Sequence, residues 1–493
     1  MKKLLSIILL SALVAITARA AHFDSPEIPD AQGTSRLKPL LEAISSGNTE
    51  KISSFASDNF HPDFLDAHPM EAHVNYLLNI HDEEGKLTYH SLRTYDEPLP
   101  DNQFVVIFRA ERTEYWRAFT IDFSDDVDQK ITNLKFSHAN RPSNVAEPGP
   151  LTLNAALDEL DGFVQRMASN GIFSGTVLLA KGETVLYQAA HGEASKRFNV
   201  PNNLQTKFNL GSMNKMFTST AIMQLVAQGK LSLTDKLSDF ADETWLPKTI
   251  TKKIEIQHLL THSSGLGSYF NQTYMNSSKS LYRTLDDYKP LIKNETLRFK
   301  PGSDNAYSNT GMFMLGVIIE KVSGQDYFSY IREHIFKPAG MMNSDSYEMD
   351  QPVANLAIGY EKDRNAETGW RNNLYAHVLK GGPAGGGFST VQDLHRFAIA
   401  LTEFKLLDEK HTKLLYTAKP KLHAPSYGFG FNVAGTSDDR IVGHGGGFDG
   451  ISANLDIYLD RGYVSAVMSN HGSGSRIVEA KIMELLSRIH ETM

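Results

Sequence analysis

The first part of the chain changes from a helical to a strand-like pattern of hydrophobic positions. One face of a predicted helix carries Leu37, Leu40, Leu41 and Ile44, and Gly47-Asn48 then stops it. Alternating and β-branched residues predict strands further along, at 104–108, 116–122 and 131–136. Helices followed by strands are typical of a small α+β domain, which we place at residues 21–140.

The rest of the chain begins and ends with strand patterns and is helical between them. A helix marked by Leu153, Leu157, Leu160, Phe163, Val164 and Met167 precedes a predicted hairpin of 175–181 and 184–188. Three more strands are predicted at 427–433, 451–459 and 463–470. A final helix carries Val478, Ile482, Leu485, Leu486 and Ile489 on one face. These elements predict one antiparallel sheet, closed by the two termini and flanked by helices with an inserted helical subdomain.

A proline-rich segment separates the two patterns. Residues 141–150 contain three prolines and a glycine, a composition typical of linkers. We therefore predict a linker at 141–150 and a second α+β domain at 151–493. No internal repeat is evident at the periods of solenoids or propellers.

The first twenty residues have the pattern of a secretory signal peptide. Lys2 and Lys3 precede an apolar stretch at 4–16, and Ala18-Arg19-Ala20 suits cleavage after Ala20. A membrane anchor is the alternative, but the apolar stretch is short for a bilayer span. No later segment is apolar for long enough to cross a membrane. We expect a periplasmic or secreted protein that has no membrane contact after cleavage of residues 1–20.

Composition narrows the function classes. Hydrophobic residues make up 41% and charged residues 22% of the 493 positions, which is typical of a folded soluble protein. The formal net charge is −8 and the basic residues are scattered, which argues against nucleic acid as a partner. The cysteine count of zero excludes thiol catalysis, thiolate zinc sites and disulfides. The histidines of the first domain lack metal-ligand spacing, so we predict no metal site there.

The first motif, Ser212-Met-Asn-Lys215, is a candidate nucleophile with a base beside it. A spacing of three residues places the serine and the lysine on one helix face, where the lysine can lower the pKa of the hydroxyl or take its proton. Gly211 suits a tight entry from a strand into this helix. Ser35-Arg-Leu-Lys38 has the same spacing, but it lies near the predicted mature N-terminus and away from any glycine-led turn.

The second motif, Tyr307-Ser-Asn309, supplies a candidate proton relay. A tyrosine near the nucleophile can pass a proton to the leaving group, and the Asn309 amide can hold a substrate carbonyl. Tyr269-Phe-Asn271 and Tyr274-Met-Asn276 match the same pattern. We favour Tyr307 because an apolar helix follows it, whereas the other two lie in a polar stretch.

The third motif, His444-Gly-Gly446, lies between two strand signals. Glycines there let a sheet edge approach a substrate backbone, so we predict His444 and Gly446 as substrate-binding residues. The N–H of Gly447, paired with that of Ser212, can form an oxyanion hole. A plain glycine-rich turn is the alternative for this segment alone.

In this order and context, the three motifs resemble the serine β-lactamase and penicillin-binding protein superfamily, specifically its branch of class C β-lactamases, D,D-peptidases and family VIII esterases. Segments 259–266, 338–341 and 385–394 share the resemblance, which covers about 153–489. It implies a β-lactamase-like fold and an acyl-enzyme on Ser212 that water later releases. Lys215 and Tyr307 would share the protons, and which of them is the base is unsettled in the family. The resemblance also implies a small-molecule or peptide substrate and no metal or organic cofactor.

The first domain and the third motif need separate comment. In pattern rather than motif, residues 21–140 resemble the ketosteroid isomerase-like domains that are fused to some hydrolases. His444 stands where the β-lactamases carry lysine, and a histidine is mostly neutral above pH 7 and gains charge toward pH 6. Lys380-Gly-Gly382 has the lysine, but it precedes a helix instead of lying on the closing strand. We interpret His262 as a structural residue of the loop after Leu260.

Three function classes follow from these observations. The leading one is an exported serine hydrolase of an ester, amide or D-amino acid peptide, since a neutral His444 weakens carboxylate binding. The second is a true β-lactamase or cell-wall D,D-carboxypeptidase. The third is a non-catalytic binding protein on the same scaffold, which is disfavoured because all the chemical groups are retained.

Overall fold

A computed structural model describes residues 22–28 and 33–489, and the predicted signal peptide lies outside these residues. The described chain divides into two units. The N-terminal unit comprises 22–156, 165–172 and 485–489 within the described ranges, and the larger unit comprises 157–164 and 173–484. In the described part, no helix combines the length and the apolar character needed to span a bilayer.

The N-terminal unit contains an antiparallel sheet whose strand order follows the chain. Its strands are β1 (His22–Ser25), β2 (Leu87–Tyr95), β3 (Gln103–Ala110), β4 (Trp116–Phe123) and β5 (Ile131–His138). Its helices are α1 (Leu37–Ser45), α2 (Thr49–Asn59), α3 (Pro62–Ala67) and α4 (Met70–Glu84). The predicted helix and three strands of this region are present, whereas α2, α3, α4 and β2 were not predicted. Helix α2 begins where the Asn48 side chain accepts the N–H of Lys51, which satisfies one free donor of the first turn.

Two buried ion pairs lie within the N-terminal unit. The Arg93 guanidinium contacts the Asp24 carboxylate at 3.0 Å, and Arg117 contacts Glu84 at 2.6 Å. Asp24 also accepts the N–H of Ser143 at 2.8 Å, so the start of the predicted linker is bonded to β1. Burial alone would raise the pKa of Asp24, but Arg93 and the Ser143 N–H hold that pKa below its usual value.

The larger unit is built on a six-stranded antiparallel sheet with the order β14-β15-β16-β17-β6-β7. The strands in this part of the chain are β6 (Gly175–Lys181), β7 (Thr184–His191), β8 (Glu193–Ser195), β9 (Val200–Pro201), β10 (Phe208–Asn209), β11 (Tyr360–Lys362), β12 (Trp370–Asn372), β13 (Phe388–Ser389), β14 (Asn432–Thr436), β15 (Asp439–Phe448), β16 (Ile451–Tyr458) and β17 (Tyr463–Ser469). The helices are α5 (Leu153–Ser169), α6 (Asn214–Ala227), α7 (Lys248–Thr251), α8 (Ile256–Leu260), α9 (Gln272–Asn276), α10 (Lys289–Ile292), α11 (Asn309–Ser323), α12 (Tyr327–Ile331), α13 (Val391–Thr402), α14 (Glu409–Leu415) and α15 (Gly474–Arg488).

The predicted α+β class is confirmed, with strands from the two ends of the larger unit in one antiparallel sheet. Lys181 of β6 pairs with Tyr463 of β17, which joins the early hairpin to the late strands. Helix α6 is buried on all sides rather than amphipathic, and residues 214–223 are all buried. Lys215 therefore lies on a helix segment that is packed around its whole circumference.

One strand prediction near the third motif is wrong, and the alternative interpretation of that motif as a turn is excluded. The strand predicted at 427–433 begins only at Asn432, because residues 427–431 form a loop in which Phe429 N–H bonds to the Leu415 carbonyl and Gly430 has a φ of +79°. The glycines of the third motif are not a turn. They lie inside the continuous strand β15, paired with β16 from Ile441 to Phe448.

Candidate active site

Ser212 lies in a single 3₁₀ turn, Gly211–Met213, that leads directly into α6. Gly211 has a φ of +50°, a conformation that favours glycine, and its N–H donates to Asn209 Oδ1 at 2.8 Å. A Cβ at Gly211 would lie 2.8 Å from the Gly447 nitrogen. The turn that presents the nucleophile therefore requires glycine for both conformation and space.

The Lys215 amine is completely buried and contacts three oxygen atoms. Its Nζ lies 3.0 Å from Ser212 Oγ, 2.9 Å from Asn309 Oδ1 and 2.5 Å from the Ala384 carbonyl oxygen. The amide orientation of Asn309 is fixed because its Nδ2 donates to Ser268 Oγ at 3.2 Å. Burial holds the pKa of Lys215 well below its usual value.

These contacts match a neutral amine. The amide oxygen of Asn309 and the carbonyl of Ala384 can only accept hydrogen bonds, so they take the two protons of a neutral Lys215 amine. The third contact, Ser212, is a hydroxyl that can donate to the remaining lone pair. The geometry therefore points the serine proton at a basic nitrogen.

Tyr307 of the second motif also contacts Ser212. Its hydroxyl is hydrogen-bonded to Ser212, and Lys215 Nζ lies 4.8 Å from its ring centroid. Burial raises the pKa of Tyr307, although the hydrogen bond to Ser212 opposes this shift. Tyr307 therefore carries its proton at neutral pH and can donate it.

Strand β15 passes against the nucleophile turn. A Cβ at Gly446 would lie 1.9 Å from the Leu210 carbonyl oxygen and 3.1 Å from the Ser212 nitrogen, so only glycine fits. The structure thus brings Gly446 and Gly447 beside Ser212. The N–H groups proposed for the oxyanion hole belong to these adjoining backbone segments.

His444 is buried, and both of its ring nitrogens have partners. Nδ1 lies 2.5 Å from the Gly445 carbonyl, which can only accept, so Nδ1 carries the proton. Nε2 then accepts from the Tyr427 hydroxyl at 3.1 Å. Burial and the nearby Lys215 lower the pKa of His444 to about 3, so the charge expected near pH 6 does not develop.

The rival matches lie elsewhere. Ser35 belongs to the N-terminal unit, and Tyr269 and Tyr274 are buried in the aromatic core of the larger unit. Lys380 does not reach the third motif, because its Nζ donates to Glu348 at 3.2 Å. Across the described residues, His, Asp and Glu side chains do not gather into a group that could hold a metal ion.

Three contributors to the site were not singled out from the sequence. Ala384 acts through its carbonyl, Ser268 orients Asn309, and Tyr427 holds His444. A backbone carbonyl leaves no signature in residue type, although the glycine-rich stretch 381–387 indicated a close approach of backbones. Tyr427 was assigned to a strand, which hid its role.

Comparisons with known proteins find relatives of the region that contains this site. A family model described as Beta-lactamase matches residues 161–487. Penicillin-binding protein 4* of Bacillus subtilis is 31% identical over 312 residues, which are 60% of this chain and 68% of that protein. The putative penicillin-binding protein PbpX of the same organism is 31% identical over 263 residues, 53% of this chain and 62% of that protein. The crystal structure of a penicillin-binding protein from Bacillus halodurans is 31% identical and has a TM-score of 0.59, covering 65% of this chain and 98% of that chain.

Proposed function

The chain belongs to the beta-lactamase family. We propose that it is an exported serine hydrolase whose substrates are esters or amides that carry no carboxylate group. The acyl group is carried on Ser212. The observation that carries the proposal is the buried Lys215 amine, whose Nζ lies 3.0 Å from Ser212 Oγ and has only neutral oxygen atoms as its other hydrogen-bond partners. A neutral, desolvated amine at hydrogen-bond distance is the arrangement that general-base catalysis needs.

In the acylation step, the Ser212 proton passes to Lys215 Nζ as Oγ bonds to the substrate carbonyl carbon. The carbonyl oxygen becomes an oxyanion, which the N–H groups of Ser212 and Gly447 stabilise. As the tetrahedral intermediate collapses, Tyr307 gives its proton to the leaving alcohol or amine and recovers one from Lys215. Water then attacks the acyl-enzyme, the acid is released, and the Ser212 hydroxyl is restored.

The third motif supports the choice of substrate. His444 is neutral and uses both ring nitrogens, and residues 445–447 are glycines without side-chain donors. The motif therefore offers backbone groups but no fixed cation to a substrate carboxylate. The lack of a fixed cation does not affect the binding of esters and amides that carry no carboxylate. β-Lactams and peptides with a free C-terminus, in contrast, lose a charge-assisted contact.

The nucleophile is tested by labelling and substitution. Ser212→Ala lowers kcat on a nitrophenyl ester by about 10⁴-fold or more while the protein stays folded. A fluorophosphonate probe followed by peptide mapping marks Ser212, and Ser35→Ala serves as the control that keeps full labelling. Label on Ser35, or on no serine, contradicts the proposal.

The substrate class is tested by a panel of short-chain nitrophenyl esters, a chromogenic cephalosporin and D-alanyl peptides. We expect measurable ester hydrolysis and slow cephalosporin hydrolysis at pH 7. Cephalosporin turnover near the diffusional ceiling, about 10⁸ M⁻¹s⁻¹, would instead make the protein a β-lactamase. Preferential release of D-alanine would favour the D,D-carboxypeptidase.

Export is supported by the pattern of residues 1–20 alone. Expression of the full chain in a bacterial host followed by N-terminal sequencing tests it. We expect a mature protein that begins at Ala21 in the periplasm or medium. An uncut protein in the cytoplasm would contradict this part of the proposal.

A further inference from the structure

His262 makes contacts that converge on Tyr307. Its carbonyl accepts the N–H of Ala306 at 3.0 Å, and its Nδ1 accepts the N–H of Ser308 at 3.2 Å. Between these two donors lies Tyr307, whose ring centroid is 4.4 Å from that of the imidazole. One residue thus holds the backbone on both sides of Tyr307 and covers one face of its ring.

The backbone of His262 is held in an uncommon conformation. Its φ is +61°, in the left-handed region that residues with a side chain seldom adopt, and the residue is only 3% exposed. Strained positions of this kind persist only where surrounding contacts over-determine them, and they cluster at active sites. A loop residue whose only duty is to connect two elements has no need of this arrangement.

The other side of the imidazole faces Tyr427 and, through it, the third motif. The ring centroids of His262 and Tyr427 are 4.9 Å apart, and the Tyr427 hydroxyl bonds to His444. Because Nδ1 accepts a hydrogen bond, the imidazole proton is on Nε2, which has no hydrogen-bond partner among the described residues. Burial, with Lys215 and His444 nearby, holds the pKa of His262 well below its usual value, so the ring is neutral.

We propose that His262 is a positioning residue for acylation that does not touch the substrate. It holds the Tyr307 hydroxyl on Ser212 and the Tyr307 ring beside Lys215, 4.8 Å from Nζ, where the ring keeps water from the amine. The inference rests on the proposed function, since it needs Tyr307 and Lys215 as the proton-handling groups. A misplacement of about 1 Å in such a group costs about 10²-fold in rate. The contacts of His262 are the ones that prevent that displacement.

Three variants separate the two kinds of contact. His262→Ala removes both the ring and the acceptor, and we expect kcat on a nitrophenyl ester to fall about 10²-fold with KM changed less than about threefold. His262→Asn keeps an acceptor for Ser308 and tolerates the left-handed backbone. His262→Phe keeps the ring face but offers no acceptor. His262→Asn and His262→Phe each lose only one of these contacts, so we expect a smaller decrease in kcat for each, about 10-fold.

The pH profile provides a readout that loss of stability alone does not change. The acid limb of kcat/KM marks the pH below which Lys215 becomes protonated. In His262→Ala, water reaches Lys215 and raises its pKa toward the usual value, so the acid limb moves to higher pH by about one unit or more. His395→Asn is the matched control, because His395 is also buried but bonds only to the Gly182 carbonyl, at 2.8 Å. The control variant should lose stability and keep the wild-type limb.

The outcomes distinguish the inference from the proposed function. An acid limb and a kcat unchanged in both His262→Asn and His262→Phe would overturn the positioning role, whatever their melting temperatures. An active Ser212→Ala variant would overturn the proposed function instead. If His262→Ala does not fold, the Asn and Phe variants decide, because each keeps one of the two contacts. A shifted acid limb and a lower kcat in either of them, with His395→Asn unshifted, support the inference.

Discussion

Two buried carboxylates of the N-terminal unit and the buried amine of the candidate site are surrounded by different partners. In the N-terminal unit, Asp24 and Glu84 have fully buried side chains, and each is paired with an arginine. In the larger unit, Lys215 is fully buried, and within the described residues no carboxylate pairs with it. A pair can keep both charges in the interior, whereas a lone amine gives up its proton.

The difference separates buried charges that stabilise the fold from a buried amine that can take part in a reaction. The arginine partners hold each carboxylate in place, and the neighbouring hydroxyls of Ser91 and Thr113 donate hydrogen bonds to Asp24 and Glu84. The lone Lys215 gains no stability from a partner, but it gains a basic lone pair at neutral pH, which is useful only next to a group such as the Ser212 hydroxyl. The buried amine at hydrogen-bond distance from a serine hydroxyl is therefore the feature that we take to mark the candidate active site.

The largest expected effect comes from removing the unpaired amine. Lys215→Met should lower kcat on an ester by about 10⁴-fold or more. Stability at pH 7 should stay the same or rise, because the unfolded chain binds a proton at Lys215 that the native state does not. In the wild type, this difference in proton binding lowers the free energy of unfolding at neutral pH. The effect fades as the pH rises toward the pKa of an unfolded lysine, about 10.4. Urea unfolding of both proteins at pH 7 and pH 10 measures the difference, and a variant that is less stable at pH 7 would contradict this account.

Removing one member of a pair should have the reverse result. Arg93→Met leaves Asp24 buried without its counter-charge, and we expect a loss of about 3–5 kcal/mol in the stability of the N-terminal unit. Hydrolysis of a small ester should stay near the wild-type rate. Without Arg93, burial raises the pKa of Asp24, so its protonation begins above the usual carboxyl pKa of about 4, and the deficit should shrink as the pH falls from 7 toward that value and below it. If a folded Arg93→Met protein lost as much ester hydrolysis as Lys215→Met, the two units would not be independent in function.

A smaller effect concerns His444, a second buried base without an acid partner. Because its pKa is about 3, the ratio of cephalosporin to ester turnover in the wild type should stay constant between pH 5 and pH 8. His444→Lys places an ammonium on β15, and a charge-assisted contact of about 1.5–3 kcal/mol should raise that ratio about 10–100-fold. The ratio is the measurement because lysine is longer than histidine and can slow both reactions. A ratio that already rises toward pH 6 in the wild type would show that His444 takes up a proton there.

Much of the fold was predictable because local signals and burial agree. The run 175–181 is apolar and ends at a glycine turn, and it is a strand with these bounds in the structure. The segment 427–433 shows the limit: aromatic residues alternate with glycines at a strand period, but the first five positions form a loop. There, hydrogen bonds to a distant helix outweigh the local pattern.

The sequence allowed us to predict which motifs form the candidate site, but not how their atoms are arranged in space. Spacing places Lys215 beside Ser212 because both belong to one helical turn. It does not reveal that Asn309 and Ala384 occupy the two amine protons, since both come from distant parts of the chain. The sequence indicated a neutral His444 above pH 7, but it did not reveal that burial lowers the pKa to about 3 and keeps the ring neutral at pH 6 as well, because the reference pKa of a histidine holds in water.

The pairing of β6 with β17 also sets when this protein can fold during its synthesis. Strand β6 is made long before its partner on one side, Tyr463–Ser469. Until then, an apolar strand with six consecutive buried positions has one edge open, the kind of edge that aggregates. A ribosome that stops before Tyr463 would release a chain with all three motifs and no closed sheet. A chain that terminates before Tyr463 should therefore be insoluble rather than partly active.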